Sequence, residues 1–165
     1  MDRSIRPVLS RGTMRSDGPD RTRTIGRSLG RAAAPGTVLA LVGELGAGKT
    51  QLAKGVADGL GVRSVVNSPT FVLMNEHVGR LRLFHIDAYR LDDPDEALMA
   101  GLFDDRQADG IVVIEWADRL DGLLPEERLE ITLSTPPDEP DARLLAWEAH
   151  GDAHERLARE AMQDP

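Results

Sequence analysis

Residues 43–50 read Gly43-Glu-Leu-Gly-Ala-Gly-Lys-Thr50, the full G-x-x-x-x-G-K-T spacing of a phosphate-binding loop. The spacing has a physical basis. Glycines let the backbone curl closely round an anion with its N–H groups turned inward, and the start of the following helix adds the positive end of its dipole. All eight residues are expected to contact a nucleotide. The backbone of Gly43, Glu44, Leu45, Gly46, Ala47 and Gly48 surrounds the phosphates, the Lys49 ammonium reaches the β- and γ-phosphates, and the Thr50 hydroxyl coordinates Mg²⁺. The chain has only two lysines, Lys49 and Lys54, against eighteen arginines, which sets apart the one inside the loop.

The flanks of this loop predict the fold. Residues 37–42 (Thr-Val-Leu-Ala-Leu-Val) are the short apolar run of a buried parallel strand. Leu52, Ala53, Val56, Ala57 and Leu60 recur at helical spacing, with Gly59 and Gly61 as the stop. Upstream, Ile25, Leu29 and Ala33 place a helix over residues 22–34, ended by Pro35-Gly36. Downstream, 71–76 and 81–87 read as two strands joined by a turn containing Gly79, an antiparallel hairpin. Asp92-Asp93-Pro94 reads as an N-cap with proline in the first turn, opening a helix to about residue 103. Residues 111–114 are a second fully apolar strand. Residues 128–134 and 144–150 flank Pro-Pro-Asp-Glu-Pro as a further hairpin, and 151–162 form a polar terminal helix. No internal repeat interrupts this order. The sum is an α/β chain with the P-loop NTPase fold: a mixed, mostly parallel sheet flanked by helices, with antiparallel hairpin additions.

A length of 165 residues fits one such domain. Residues 1–20 mix Arg, Ser, Gly, Pro and Asp with little periodicity. They are expected to be a disordered Arg-rich tail, with 21–165 as a single P-loop ATPase domain and Met14 as an alternative start. The net charge is −8, too acidic for a whole-surface nucleic-acid binder and against a DNA partner. It is unevenly spread, since residues 1–31 carry eight Arg and three acids and the remainder is net −13. Zero cysteines exclude a disulfide framework, zinc-thiolate sites and thiol catalysis. No apolar run approaches the roughly 20 residues that span a bilayer, and the amino end lacks the apolar core of a secretory signal. A cytoplasmic protein with no membrane contact is expected.

Hydrolysis needs, besides the loop, an acid for the magnesium shell and a group that orients water, usually at strand ends beside the loop. Glu115 follows the Ile111-Val-Val-Ile run, where a Walker-B acid belongs, although Ile114 stands where many ATPases carry a further Asp. Asp87 ends the 81–86 strand. Glu115 and Asp87 therefore join Thr50 as candidate metal ligands, and Lys49 and Glu115 are the candidate catalytic pair. Ser68-Pro-Thr70-Phe71 alone is a turn. His85 and Tyr89 with Arg90 fit packing on a strand face as well as a functional role. Trp116 fits either core or interface, its position beside Glu115 favouring the nucleotide, and Trp147 reads as core.

The combination of residues 43–50 with Ser-Pro-Thr-Phe (68–71), His-Ile-Asp-Ala-Tyr-Arg (85–90) and Ile-Glu-Trp-Ala-Asp-Arg (114–119) resembles the TsaE (YjeE) family. These are small bacterial P-loop ATPases of tRNA threonylcarbamoyladenosine synthesis. The resemblance runs from about residue 22 to about residue 147. It implies ATP and Mg²⁺ as cofactors, with Lys49 and Thr50 on phosphate and magnesium. Thr70 falls in a first switch, Asp87 in a second, and Glu115 and Trp116 at the Walker-B strand end. It also implies TsaD and TsaB proteins as partners, tRNA being reached indirectly through their complex. The chain departs from the family pattern at Gln51, where a second Thr is common, and in its longer Arg-rich start. Two other classes share the loop: a small-metabolite or nucleoside kinase, which usually carries an Arg-bearing lid, and a nucleotide-dependent binding module with negligible turnover.

Overall fold

The apolar run before the loop forms a strand because its residues are buried on both faces, with Leu39, Ala40 and Leu41 fully enclosed. A computed structural model describes residues 8–67, 73–93, 95–96, 103–120 and 122–163. Its strands are β1 (Val8–Ser16), β2 (Val38–Val42), β3 (Met74–His77), β4 (Leu83–Asp87), β5 (Ile111–Glu115), β6 (Arg128–Ser134) and β7 (Arg143–His150). Its helices are α1 (Pro19–Ala32), α2 (Lys49–Gly59) and α3 (Asp152–Ala161). The strands make one seven-stranded sheet in the order β1-β7-β6-β2-β5-β4-β3. The central pairs β6/β2, β2/β5 and β5/β4 are parallel, and β3, β7 and β1 add antiparallel edges. This is the predicted mixed α/β sheet, both hairpins included. Among the described residues no helix is long and apolar enough to cross a membrane.

The sheet alternates its side chains between two cores. Leu39, Leu41, Val113, Leu129 and Ile131 pack under α1, α2 and α3, while Val38, Ala40, Phe84, Ile86 and Ile114 meet the connections on the other face. Asp93 caps a helical turn as the sequence anticipates, its carboxylate accepting the Asp95 N–H at 3.0 Å. Most of the helix expected up to residue 103 lies outside the described residues.

Residues 8–20 correct the expectation of a solvated tail. Residues 8–16 are β1, and Pro19 opens α1. The sequence conceals this strand because inward positions are small or polar, Ser10, Gly12 and Ser16, beside a buried Met14. Gly12 pairs with Trp147 of β7, and a Cβ there would lie 2.6 Å from the indole ring. The missing side chain is filled by the tryptophan across the pair. Two arginines are likewise anchored to the body: Arg15 forks onto Glu139 at 2.7 and 3.0 Å, and Arg23 onto Asp58 at 2.6 and 3.1 Å. Residues 1–7 lie outside the described residues.

Helices α1 and α2 approach so closely that four glycines interlock. A Cβ on Gly26 or Gly30 would stand 2.3 Å from the Leu52 carbonyl or 2.2 Å from that of Val56. One on Gly55 or Gly59 would meet the Arg23 or Arg27 carbonyl at 2.1 and 2.2 Å. At the far end of α2, the β3–β4 turn docks through Arg80. Its N–H donates to the Leu60 carbonyl at 2.6 Å, and its guanidinium caps α1 at the carbonyls of Gly30 and Ala33. From α3, His154 Nε2 accepts the Val38 N–H at 3.0 Å. That tautomer requires a neutral ring, and burial, the main cause, holds its pKa below the ordinary 6.5.

Two outcomes follow from this packing. In an exposed helix Gly→Ala gains about 1 kcal/mol, but Gly30→Ala should lose about 1–3 kcal/mol because the contact is with rigid backbone, read as a lower midpoint in urea unfolding. The second concerns acid. His154 titrates lower in the folded than in the unfolded chain, so the unfolded chain takes up more protons as acid is added. The stability from a neutral His154 is intact above 6.5 and is lost as pH falls through the folded value. The unfolding midpoint should therefore drop as the pH falls below 6.5, and His154→Gln should flatten that slope.

Candidate functional site

The chain leaves β2 at Gly43, where φ is +156° and a Cβ would stand 2.6 Å from the Leu133 carbonyl of β6. Only glycine passes there. Gly46 and Gly48 also sit at positive φ, +81° and +104°, so the loop curls back before α2 begins at Lys49. Lys49 is buried, its Nζ donating to the carbonyls of Gly43 at 2.6 Å and Glu44 at 2.8 Å. The Trp116 ring closes over the ammonium with its centroid 3.9 Å away. Burial pulls the Lys49 pKa down, and the nearby Glu115, Asp118 and Asp87 carboxylates oppose that shift.

The acids come from neighbouring strand ends. Parallel pairing of β4 with β5 sets Asp87 opposite Glu115, the face rule putting both on the side of the sheet that carries α2. Glu115 is buried and spans the site: one oxygen accepts the Thr50 hydroxyl at 2.7 Å, the other meets His85 Nε2 at 2.5 Å. His85 is itself fully buried, which places it in the site through Glu115. Asp87 accepts the Tyr89 N–H at 2.9 Å. Burial, chiefly, pushes its carboxyl above the usual range, with the Glu115 charge adding to the rise. Trp116 holds a left-handed backbone, φ +58°, a conformation costing a non-glycine residue about 1–2 kcal/mol. That turn aims its ring back at Lys49 and against Tyr89, whose ring lies 4.8 Å away.

These groups line a cavity of about 600 Å³. Lys49, Thr50, Asp87, Glu115 and Trp116 line it together with Pro19, Thr22, Pro140, Asp141 and Arg143. Leu45 sits at the loop tip, 80% exposed. Thr70 lies outside the described residues. Arg143 and the α1 and β6–β7 residues carry no local signal of the site, which they reach from distant parts of the chain. Only the Gly-x-x-x-Gly spacings at 26/30 and 55/59 were available as a sign of the close helix pair that seats the loop.

Among the described residues no group of three His, Asp or Glu side chains could hold a metal by itself. Thr50 and Glu115, with Asp87 beside them, instead fit a cation that completes its shell with phosphate oxygens and water, the habit of Mg²⁺.

A glycine loop between a parallel strand and a helix, with strand-end carboxylates beside it, defines a P-loop nucleotide-binding protein. The family model described as "Threonylcarbamoyl adenosine biosynthesis protein TsaE" matches residues 16–144, and the chain belongs to that family. It is 41% identical over 147 residues to the tRNA threonylcarbamoyladenosine biosynthesis protein TsaE of Bacillus subtilis, covering 88% of this chain and 90% of the relative. The protein of the same name from Mycobacterium bovis is 38% identical over 135 residues, 76% of this chain and 80% of the relative. The crystal structure of Bacillus subtilis YdiB superimposes with a TM-score of 0.76 at 34% identity, over 93% of this chain and 95% of that one.

Proposed function

We propose that this protein binds Mg-ATP in the loop cavity and hydrolyses it, with water as acceptor, as a component of the machinery that makes N6-threonylcarbamoyladenosine in tRNA. The observation that carries the reading is the Thr50–Glu115 hydrogen bond, 2.7 Å long. It joins the loop residue suited to a phosphate-bound cation to the strand-end carboxylate suited to the same cation. Lys49 stabilises charge on the β- and γ-phosphates, Thr50 and Glu115 hold magnesium, and Asp87 shares that shell or orients water. Trp116 covers Lys49 and meets the nucleotide beside it. Turnover by the protein alone is slow.

The TsaD and TsaB proteins are the proposed partners, within the cytoplasm, and tRNA is met through their complex. Charge supports this division. The chain is net −8, and Arg15, Arg23 and Arg27 of its basic amino-terminal third pair with Glu139 and Asp58, which offsets part of the positive charge that a phosphate backbone would need.

Five measurements check the proposal. Lys49→Ala should abolish ATP binding or turnover while the protein stays folded, and an unchanged ATPase rate would sink the site assignment. Glu115→Gln and Asp87→Ala should still bind Mg-ATP but turn it over at least about a hundredfold more slowly; equal loss of affinity and rate would make these carboxylates structural. Phosphate release assayed with and without the TsaD–TsaB pair, and with small hydroxyl acceptors, separates an ATPase from a kinase or an inert binder. Association with the pair should depend on the nucleotide present, and binding to isolated tRNA should be weak and strongly salt-dependent.

A further inference from the structure

Arg143 opens β7, far in sequence from the loop, yet its guanidinium lies against it. Nε donates to the Ala47 carbonyl at 3.2 Å and Nη2 to the Gly46 carbonyl at 3.1 Å. Nη1 donates to the carbonyls of Pro140 and Ala142, both at 2.7 Å. Four of the five N–H donors of the guanidinium are thus spent on backbone oxygens. A trans peptide is planar, with its C=O and the next N–H pointing opposite ways. Fixing the Gly46 and Ala47 carbonyls on Arg143 therefore fixes the Ala47 and Gly48 N–H groups toward the other side, the interior of the loop. There the Ala47 N–H donates to the Glu44 carbonyl at 3.0 Å.

We propose that Arg143 is a positioning residue for the phosphate loop, turning the 47–48 peptide unit so that the Gly48 N–H faces the phosphates of a nucleoside di- or triphosphate, holding the 46–47 unit on the Glu44 carbonyl, and tying the β6–β7 connection to the same loop. The inference rests on the nucleotide-binding reading above. It assigns the guanidinium's fork geometry, and not its charge, to the work. A lysine keeps the charge at one point and cannot reach two loop carbonyls and two connection carbonyls together.

The test uses the full chain. Kd for ADP and for ATP with Mg²⁺ is measured by calorimetry on wild type, Arg143→Lys and Arg143→Gln, with melting temperatures alongside and steady-state ATPase kinetics. Both variants should raise Kd for each nucleotide by about tenfold or more, and raise KM while leaving kcat within about threefold, because Lys49 and Glu115 are untouched. A structural role alone would lower the melting temperature yet leave Kd unchanged well below it, and that result overturns the proposal. Wild-type affinity in Arg143→Lys also overturns it, since charge would then suffice. Should Arg143→Gln fail to fold, Arg143→Lys decides. A wild-type protein that binds neither nucleotide would bring down the functional reading itself. Normal wild-type binding with unaltered variants would bring down only the role of Arg143.

Discussion

A backbone carbonyl turned away from water needs a donor, and a loop with little regular hydrogen bonding must find its donors elsewhere in the chain. That constraint organises the site. Lys49 Nζ takes the Gly43 and Glu44 oxygens, Arg143 takes those of Gly46 and Ala47, and the Leu52 N–H takes that of Gly48 as α2 begins. Satisfying them draws in parts of the chain that share no local sequence. Lys49 comes from the loop's own helix and Arg143 from the start of β7. The conformation of the loop is set by tertiary structure as much as by its glycines.

The same logic explains the glycines of α1 and α2. For Lys49 and Thr50 to stand beside Glu115, α2 must lie close over β2 and β5, and α1 must then fit in the space that remains on that face. Backbone-to-backbone contact at Gly26, Gly30, Gly55 and Gly59 allows that approach at the loss of intrinsic helix propensity. The Arg80 cap and the His154–Val38 bond hold the far ends of α1 and β2. Much of what the chain devotes to stability therefore fixes the position of a single helix start.

The elements around the loop were legible because their residues carry local signals: continuous apolar runs for β2 and β5, helical spacing for α2, turn chemistry for both hairpins. Glu115 and Asp87 were legible as acids at strand ends, and parallel register brings them together. β1 was not, because alternation is visible only when inward positions are apolar, and here Gly12 and Ser16 are completed by Trp147 and Thr22. Arg143 was illegible for another reason. An arginine that serves carbonyls leaves no pattern, since its partners are backbone atoms present at every residue. His85 falls between these cases. Its strand was predicted, but only the fold shows that its buried ring meets Glu115.

Glu115 bears on how the site would accept a cation. Both its oxygens have protein partners, Thr50 on one side and His85 on the other. A metal on that oxygen would compete with the first bond. A threonine hydroxyl, however, has one proton and two lone pairs, so Thr50 can give its proton to Glu115 and keep a lone pair for the cation. The bond seen here then orients the lone pair instead of competing for it, and the carboxylate's remaining acceptor capacity can hold a metal-bound water. His85 fixes the other oxygen, so the carboxylate cannot rotate away from Thr50 without leaving the buried imidazole without its partner. The Thr50 and His85 bonds thus hold the Glu115 carboxylate in place through protein contacts alone.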